Sequence, residues 1–293
     1  MKPAAFKYHR PARLTDALDM LASLPDAKLL AGGQSLGPML NFRYLMPENL
    51  IDLNHVTELQ GLSWLADDAL RIGAMTRQFQ LEKDEGLFTR IPIFREALRW
   101  VGHYATRNRG TIGGSLSHLD PAAELPGICA LLDAELGVQS VAGRRTISIH
   151  DWTVGFMQPN IGEDELLTDI VVRPWTQPHG FSFVEMSRRH GDFAIAGVAC
   201  LLAVDVQSQI EKVAVSVIGI SNGATRLHQA EKALVGAVCT DDVIQAASEE
   251  IAQLEAPADA HHSGEFRKRT AKTLFCRAMQ QAYQDAINRR SVQ

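Results

Sequence analysis

Two glycine pairs interrupt apolar stretches of the chain and limit how the backbone can run there. The first, Gly32 and Gly33, ends the apolar run "AKLLAGG", and the second, Gly113 and Gly114, lies in "TIGGSLSH"; a serine follows each pair, directly or after one residue. Backbone N–H groups at a turn or helix N-terminus can donate to an anion, and glycine accepts the positive φ angles that such a turn requires. One glycine pair is usually only a turn. Two pairs predict a site for a ligand with two anionic groups, such as a nucleotide diphosphate.

Two common nucleotide-binding motifs are absent from the sequence. No G-x-x-x-x-G-K-[ST] pattern occurs, which excludes a P-loop. No G-x-G-x-x-G pattern follows a strand-like segment, so a Rossmann dinucleotide site is not supported. The glycine pairs therefore indicate another kind of diphosphate site.

The composition is typical of a globular protein. Of the 293 residues, 46% are hydrophobic and 22% are charged, and the formal net charge is −5. This charge argues against a nucleic-acid partner, because phosphate binding needs a basic surface. The longest nearly continuous apolar stretch, residues 194–204, is too short for a bilayer, which needs roughly 20 residues. The N-terminal segment has no apolar leader, so we expect a cytoplasmic protein without a membrane span.

The four cysteines do not predict a metal site. Cys129, Cys200, Cys239 and Cys276 are far apart, and none lies in a C-x-x-C pair. Such local pairs are typical of zinc and iron–sulfur ligands. We expect buried thiols and no metal ligand on this chain.

The pattern of apolar residues predicts an α+β fold. Strand-like and helical segments alternate in the first part, with helices expected at "LTDALDMLASL", capped by Thr15, and at "SLGPMLNFRYL", capped by Ser35. Asp120 and Pro121 are expected to begin a further apolar helix. In the last third, three strand candidates precede the helices, the last of which is capped by Ser263. Prolines at positions 174 and 178 mark the boundary between two domains.

Several separated motifs together resemble one protein family. The segments "LAGGQSLGPMLNFR", "RIGA", "RNRGTIGGSLSHLDPAAELP" and "RRHGDFAIAGVA" are similar to the FAD-binding medium subunit of molybdenum hydroxylases, the family of carbon monoxide dehydrogenase and xanthine dehydrogenase. The resemblance runs from about Phe6 through the final helix. It implies a PCMH-type FAD-binding domain at residues 1–176, with two α/β subdomains at about 1–55 and 56–176. A C-terminal domain at 177–293 would contain a three-stranded antiparallel sheet and helices.

The resemblance also implies where FAD binds. Its diphosphate would lie between the first glycine segment (residues 31–36) and the second glycine segment (residues 111–115). The implied cofactor-binding residues are Ala31, Gly32, Gly33, Gln34, Ser35, Leu36, Thr111, Ile112, Gly113, Gly114, Ser115, His118, Asp120, Glu124, Leu167 and Phe193. Many relatives have histidine where this chain has Gln34. An amide both donates and accepts, so we expect FAD binding to persist.

Five of these positions also have an ordinary structural explanation. Asp120 is implied to contact the ribose or ribityl part of FAD, but it also fits a helix N-cap. Glu124, implied in the same role, also fits as an acid in the first turn of a helix. His118 faces the cofactor or packs beside it. Leu167 is a wall of the flavin or adenine site or ordinary core, and Phe193 lies near the isoalloxazine ring or in a strand core.

For function, the resemblance implies an electron-transfer subunit without catalytic residues or metal ligands of its own. A large subunit with a molybdenum cofactor would hydroxylate the substrate. A small subunit would pass electrons through two [2Fe–2S] clusters to FAD on this chain, and an external acceptor would receive them. The resemblance also covers Arg107, Asn108 and Arg109, which match a stretch that lies near the iron–sulfur subunit in this family. The implied assembly is a dimer of heterotrimers.

Two other functions remain open from the sequence. The chain could be a self-sufficient FAD-dependent oxidoreductase with the same cradle, such as the enolpyruvyl reductase type, although no catalytic acid can be identified. It could also be a non-enzymatic nucleotide-binding module. An absorption spectrum with flavin bands would exclude the latter.

Overall fold

The first structural unit is a small parallel α/β layer. A computed structural model describes residues 1–290 of the chain. Its first sheet has the strand order β1-β3-β2, and both strand pairs are parallel. The elements are β1 (Lys7–His9), α1 (Leu14–Ser23), β2 (Ala27–Leu30), α2 (Leu36–Asn41) and β3 (Asn49–Asp52). Parallel strands need crossover connections, and α1 and α2 lie in these connections.

The N-cap of α1 lies two residues earlier than predicted. Arg13 occupies the N-cap position, and its Nε lies 3.0 Å from Oδ2 of Asp16. The Arg13 carbonyl accepts the first helical bond, from the N–H of Ala17 at 3.2 Å. The prediction of Thr15 as N-cap is therefore wrong, because this residue lies inside the first turn. Ser35 does occupy the N-cap position of α2, without a side-chain capping bond.

The second unit contains a five-stranded sheet with the order β4-β5-β10-β6-β7. Every strand pair in it is antiparallel, so this unit is a covered antiparallel sheet without βαβ crossovers. Its strands are β4 (Leu62–Trp64), β5 (Leu70–Gly73), β6 (Glu135–Ser140), β7 (Gly143–Ser148) and β10 (Leu166–Val172). A separate two-stranded ribbon is formed by β8 (Thr153–Gly155) and β9 (Gln158–Pro159).

Six helices lie between β5 and β6. They are α3 (Gln78–Lys83), α4 (Glu85–Arg90), α5 (Ile93–Leu98), α6 (Tyr104–Arg109), α7 (Ile112–His118) and α8 (Glu124–Leu131). All eight residues of α8 are buried. A helix without a polar face has to be covered on every side, and α8 packs in one apolar cluster with the five-stranded sheet and the C-terminal sheet.

Helix α8 begins later than the sequence predicts. Asp120 and Pro121 precede it as a turn, in which Oδ1 of Asp120 accepts the N–H of Ala122 at 2.8 Å. This is the turn that aspartate commonly forms with the residue two positions on. The expected helix start at Asp120 is therefore wrong, and the first helical residue is Glu124.

The C-terminal domain is built on a third sheet with the order β11-β12-β13-β14. Its strands are β11 (Gly180–Ser187), β12 (Ala194–Val204), β13 (Ile210–Ile218) and the edge strand β14 (Thr225–Arg226). The three long strands are antiparallel and confirm the predicted sheet, to which β14 adds two residues.

Helices α9 (His228–Leu234), α10 (Asp241–Ala247) and α11 (Gly264–Arg290) follow this sheet. Short 3₁₀ segments occur at Leu53–His55, Thr57–Leu59, Ile149–Asp151 and Ser248–Gln253. Ser263 stands before α11 as predicted, and its Oγ accepts the N–H of Phe266 at 3.2 Å. None of the helices within residues 1–290 is long and apolar enough to cross a membrane.

The long strand β12 is buried along its whole length because both faces of its sheet are covered. Val198 and Cys200 belong to the cluster that contains the apolar side of α11. Ala199 and Leu201, on the opposite face, belong to the cluster that contains α5 and α8. This second face therefore joins the C-terminal domain to the N-terminal domain through apolar packing.

Candidate functional site

The fold brings the two glycine segments into contact. A Cβ atom on Gly32 would lie 2.3 Å from the carbonyl oxygen of Arg109 and 2.8 Å from Cα of Gly110, just before the second segment. A Cβ atom on Gly114 would lie 3.5 Å from Cβ of Ala31. Residues about 80 positions apart thus form one surface, and Gly32 is required there because no side chain fits.

The first glycine segment presents backbone N–H groups that the chain does not use. It follows β2, and Gly33 has a φ of +72°, which favours glycine. The amides of residues 32–36 donate to no backbone carbonyl within residues 1–290, whereas the carbonyl of Gly33 accepts the N–H of Gly37 at 2.9 Å. Gln34 is exposed, and its Nε2 donates to the carbonyl of Gly32 at 3.1 Å. Such a row of donors fits an anion.

The second glycine segment is the first turn of α7, not a loop. Thr111 is the N-cap, and its Oγ1 accepts the N–H of Gly114 at 3.0 Å. The N–H groups of Ile112 and Gly113 donate to the carbonyls of Thr76 and Ala74, at 3.1 and 2.9 Å. The N–H of the next residue, at position 115, donates to the Thr111 carbonyl at 3.1 Å. These amides are already engaged, in contrast to the expectation that both segments offer donors.

Close packing explains the glycine at position 113. A Cβ atom there would lie 2.5 Å from Cβ of Ala74 and 2.6 Å from its carbonyl oxygen. Gly113 therefore lets α7 lie directly against the end of β5. The half-buried side chain of Ser115 remains as the polar group that this segment can offer to a ligand.

Two polar residues outside both segments connect them. Nδ2 of Asn54 donates to the carbonyl of Ala31 at 3.1 Å. The guanidinium of Arg77 donates to Oδ1 of Asn54 and to the carbonyl of Arg109. Burial and the nearby charge of Arg109 lower the pKa of Arg77, but a guanidinium stays protonated in proteins. The first segment therefore has unused amides beside a fixed positive charge, and this arrangement fits the diphosphate of FAD.

The residues after α7 form a second part of the site. Asp120 and Phe193 line a cleft of about 450 Å³, together with Phe156 and Arg188. Phe193 is 68% exposed, which excludes the alternative that it fills a strand core. Asp120 follows the C-terminal end of α7, a helix of seven residues or about 10 Å at 1.5 Å per residue, whereas the second glycine segment forms the first turn of this helix.

Two titratable side chains close to Asp120 in the sequence have shifted pKa values. Glu124 is 8% exposed, and burial raises its pKa to about 7, with the negative charge of Asp120 adding to the effect. Burial lowers the pKa of His118, the last residue of α7. Glu124 is therefore a buried acid at the start of α8, as the sequence also allowed, and His118 is a neutral donor and acceptor near neutral pH.

The other predicted positions vary in accessibility. Leu167 is 5% exposed and belongs to the core of the second unit, and Leu36 is half-buried as the first residue of α2. Arg107 points inward, where its guanidinium pairs with the carboxylate of Glu82 at 2.9 and 3.1 Å. Arg109 is exposed, and its side chain is accessible to a partner.

The sequence did not indicate Asn54 or Arg77 as site residues. Both follow strands, β3 and β5 respectively, but neither belongs to a glycine segment. Their convergence on Ala31 and Arg109 depends on how the two sheets pack. Arg77 lies just beyond the "RIGA" motif, which was the only local signal near it.

Comparison with known proteins agrees with this architecture. Residues 4–175 match the family described as "FAD binding domain in molybdopterin dehydrogenase", and residues 181–282 match "CO dehydrogenase flavoprotein C-terminal domain". The chain is 37% identical over 284 residues to 6-hydroxypseudooxynicotine dehydrogenase complex subunit alpha of Paenarthrobacter nicotinovorans, covering 96% of each sequence.

Two solved structures have nearly the same fold. Carbon monoxide dehydrogenase from Hydrogenophaga pseudoflava, lacking the Mo-pyranopterin moiety of its cofactor, aligns with a TM-score of 0.94 and 31% identity, covering 97% of this chain and 99% of that one. Quinoline 2-oxidoreductase from Pseudomonas putida 86 aligns with a TM-score of 0.93 and 34% identity, covering 98% and 100%. The chain therefore belongs to the family of FAD-binding medium subunits of molybdenum hydroxylases.

Proposed function

We propose that this chain carries electrons inside a molybdenum hydroxylase complex, from iron–sulfur clusters of a partner subunit to an external acceptor. The observation that supports it most is the row of unused backbone amides at residues 32–36, held beside Arg77 and packed against the second glycine segment. When bound, FAD supplies chemistry in which electrons are taken up singly and released as a pair. The residues of this chain bind and orient it.

The first glycine segment would hold the diphosphate of FAD. Its amide donors and Ser35 would donate to the phosphate oxygens, and Arg77 would balance their negative charge. Thr111 and the rest of the second segment would form the opposite wall, to which Ser115 would add a hydroxyl. The two segments differ in role because the amides of the second segment are already bonded within the chain and those of the first are not.

The remainder of FAD would extend along α7 to the cleft at Phe193. Asp120, which lines this cleft, would contact hydroxyl groups of the ribityl or ribose part, as would His118 at the end of α7 and Glu124 at the start of α8. Phe193 is exposed where a planar ring can lie against it. Leu167 supports the site from the core, not as an exposed wall.

We infer two partner subunits, one with a molybdenum cofactor and one with two [2Fe–2S] clusters, in a dimer of heterotrimers. The names of the relatives support the partner subunits, since they include a "dehydrogenase complex subunit alpha" and a "medium chain". Among residues 1–290, no group of three or more His, Cys, Asp or Glu side chains could hold a metal. Arg107 is paired with Glu82 within the chain. Of residues 107–109, Asn108 and Arg109 are therefore the two that can contact the iron–sulfur subunit.

The domain division and the compartment belong to the same proposal. We divide the chain at 176/177, with subdomains 1–55 and 56–176, and the three separate sheets support this division. A cytoplasmic location is supported by the four cysteines, all of which are thiols, as is usual in a reducing compartment.

The experiment is an FAD titration of the purified full chain, followed by flavin fluorescence and absorption. We expect flavin bands in the protein and a dissociation constant raised about a hundredfold by Gly32→Ala, because the new Cβ would push the two segments apart. Gly37→Ala is the matched control, since nothing lies within 4 Å of its Cβ position. A colourless protein, or wild-type affinity in Gly32→Ala, would contradict the proposal.

A further inference from the structure

A turn at the end of α2 holds three large apolar side chains in solvent. Phe42, Tyr44 and Met46 are 62%, 79% and 62% exposed. The ring centroids of Phe42 and Tyr44 lie 6.4 Å apart. Single exposed apolar side chains are ordinary, but neighbouring ones are typical of a surface that another protein covers. We call the surface formed by residues 42–46 the 42–46 patch.

The backbone of this turn would suit a glycine better than the arginine it contains. Arg43 has a φ of +59°, in the left-handed region that favours glycine. The N–H of Arg43 donates to the carbonyl of Leu40 at 3.1 Å, and that of Tyr44 donates to the carbonyl of Met39 at 2.9 Å, so the turn closes α2. The chain therefore keeps a charged side chain between two exposed rings, at a position where it does not favour folding.

The surface around the 42–46 patch is basic. Three exposed cations form no ion pair within residues 1–290, namely Lys2, Lys7 and Arg43. Arg43 lies beside Lys2, because its Nε donates to the Lys2 carbonyl at 3.4 Å. Lys7 lies beside Glu48, two residues after the patch, and its N–H donates to the Glu48 carbonyl at 2.8 Å. The net charge of the chain is −5, so these unpaired cations stand out and favour a partner surface that carries carboxylates.

The 42–46 patch is close in the fold to the backbone that the proposed function gives to FAD. Helix α2 has six residues, or about 9 Å at 1.5 Å per residue. The first glycine segment leads into its N-terminal end, and the patch follows its C-terminal end. A Cβ atom on Gly32 would lie 2.3 Å from the carbonyl oxygen of Arg109, the residue available to the iron–sulfur subunit. A partner on the patch is therefore one short helix away from the FAD-binding segment.

We propose that the 42–46 patch is a docking surface for the iron–sulfur partner subunit, which meets it with apolar side chains surrounded by carboxylates. The inference rests on the proposed function, because that subunit is the one that brings electrons to FAD. Aromatic residues, methionine and arginine are the types enriched in protein interfaces. A second copy of this chain fits less well, since a two-fold contact would place the cations of one copy against those of the other.

Photo-crosslinking within the purified complex identifies the occupant of the patch. The photoreactive residue p-benzoylphenylalanine replaces Tyr44, and mass spectrometry identifies the adduct. We expect an adduct with the subunit that contains the [2Fe–2S] clusters. The matched control carries the same residue at Val206, which is 79% exposed in the turn between β12 and β13, and should give no adduct with that subunit. An adduct with the molybdenum subunit or with a second copy of this chain, or no adduct at all, would overturn the inference.

Arg43→Gly separates docking from folding. Glycine accepts the φ of +59°, so the free energy of unfolding should not fall, whereas the dissociation constant of the iron–sulfur subunit should rise about tenfold. Ser208→Gly, at a φ of +63°, is the matched control and should leave the association unchanged. Urea denaturation of the chain and size exclusion of the complex at decreasing concentration measure the two quantities. Wild-type association in Arg43→Gly would contradict the proposed docking.

The double variant Phe42→Ser/Tyr44→Ser tests the apolar part of the patch. The dissociation constant of the iron–sulfur subunit should rise about a hundredfold, because exposed aromatic residues dominate such contacts. FAD affinity of the variant chain should stay at the wild-type value, since neither residue belongs to the proposed FAD site. Weakened FAD binding with intact iron–sulfur association would overturn the inference. A wild-type chain that binds no FAD would instead refute the proposed function, and the cross-link would still decide the docking.

Discussion

The two glycine segments look alike in the sequence but serve different purposes in the fold. In the first segment, the amides of residues 32–36 are unused and Gly33 has a positive φ. In the second, the amides bond within the chain, and Gly113 is needed because α7 lies against Ala74. The first pair therefore combines accessible backbone donors with a close approach, at Gly32 against Arg109, whereas the second pair serves close packing alone.

The largest expected effect breaks the packing of the second segment. Gly113→Ala would place a Cβ atom 2.6 Å from the Ala74 carbonyl oxygen, and we expect a loss of about 3 kcal/mol in the free energy of unfolding. Urea denaturation measures it. Gly86→Ala, also in a helix and with its Cβ position 3.2 Å from only the Asp84 carboxylate, should change stability much less. Wild-type stability in Gly113→Ala would show that this glycine has no packing role.

An intermediate effect is expected at the first segment. Arg77→Gln should raise the dissociation constant for FAD about tenfold, because a charged donor beside the unused amides is lost. The affinity should also depend less on salt than in the wild type. Fluorescence titrations at two salt concentrations measure both changes, with Arg13→Gln, an exposed arginine paired with Asp16, as control. Equal affinities in Arg77→Gln and the wild type would mean that the diphosphate lies elsewhere.

The smallest expected effect concerns the N-cap of α7. Thr111→Ala removes the acceptor for the N–H of Gly114 and should cost about 1 kcal/mol in the free energy of unfolding. FAD affinity of the folded protein should stay near the wild-type value. Thr240→Ala removes the equivalent cap of α10 and should be similarly destabilising. If Thr111→Ala left stability intact but abolished FAD binding, the contrast between the segments would fail.

The sequence predicted the fold class and the three long C-terminal strands because their patterns are local. Runs of Val, Ile and Ala define β12, and turn residues separate it from its neighbours. The start of α8 was misplaced because Asp120 has two competing local uses, a helix cap and a turn with Ala122. Propensity alone does not decide between them.

The sequence also predicted the part of the candidate site that carries local patterns. Both glycine segments and the residues after α7 carry short motifs, so they can be recognised from the sequence alone. Asn54 and Arg77 carry none. Each matters only because a residue far away in the sequence, Ala31 or Arg109, lies against it.

The sequence by itself determined which segments have to be turns, strands or helices, and through its motifs the family and the cofactor. The tertiary structure alone decided which backbone amides remain unused, since Ala74 and Thr76 take those of the second segment and nothing within residues 1–290 takes those at 32–36. It also decided that both carboxylate oxygens of Glu185, in β11, are buried without a hydrogen-bond partner among residues 1–290. The physical reason is that hydrogen-bond saturation and burial depend on contacts between residues far apart in the chain, which no local pattern encodes.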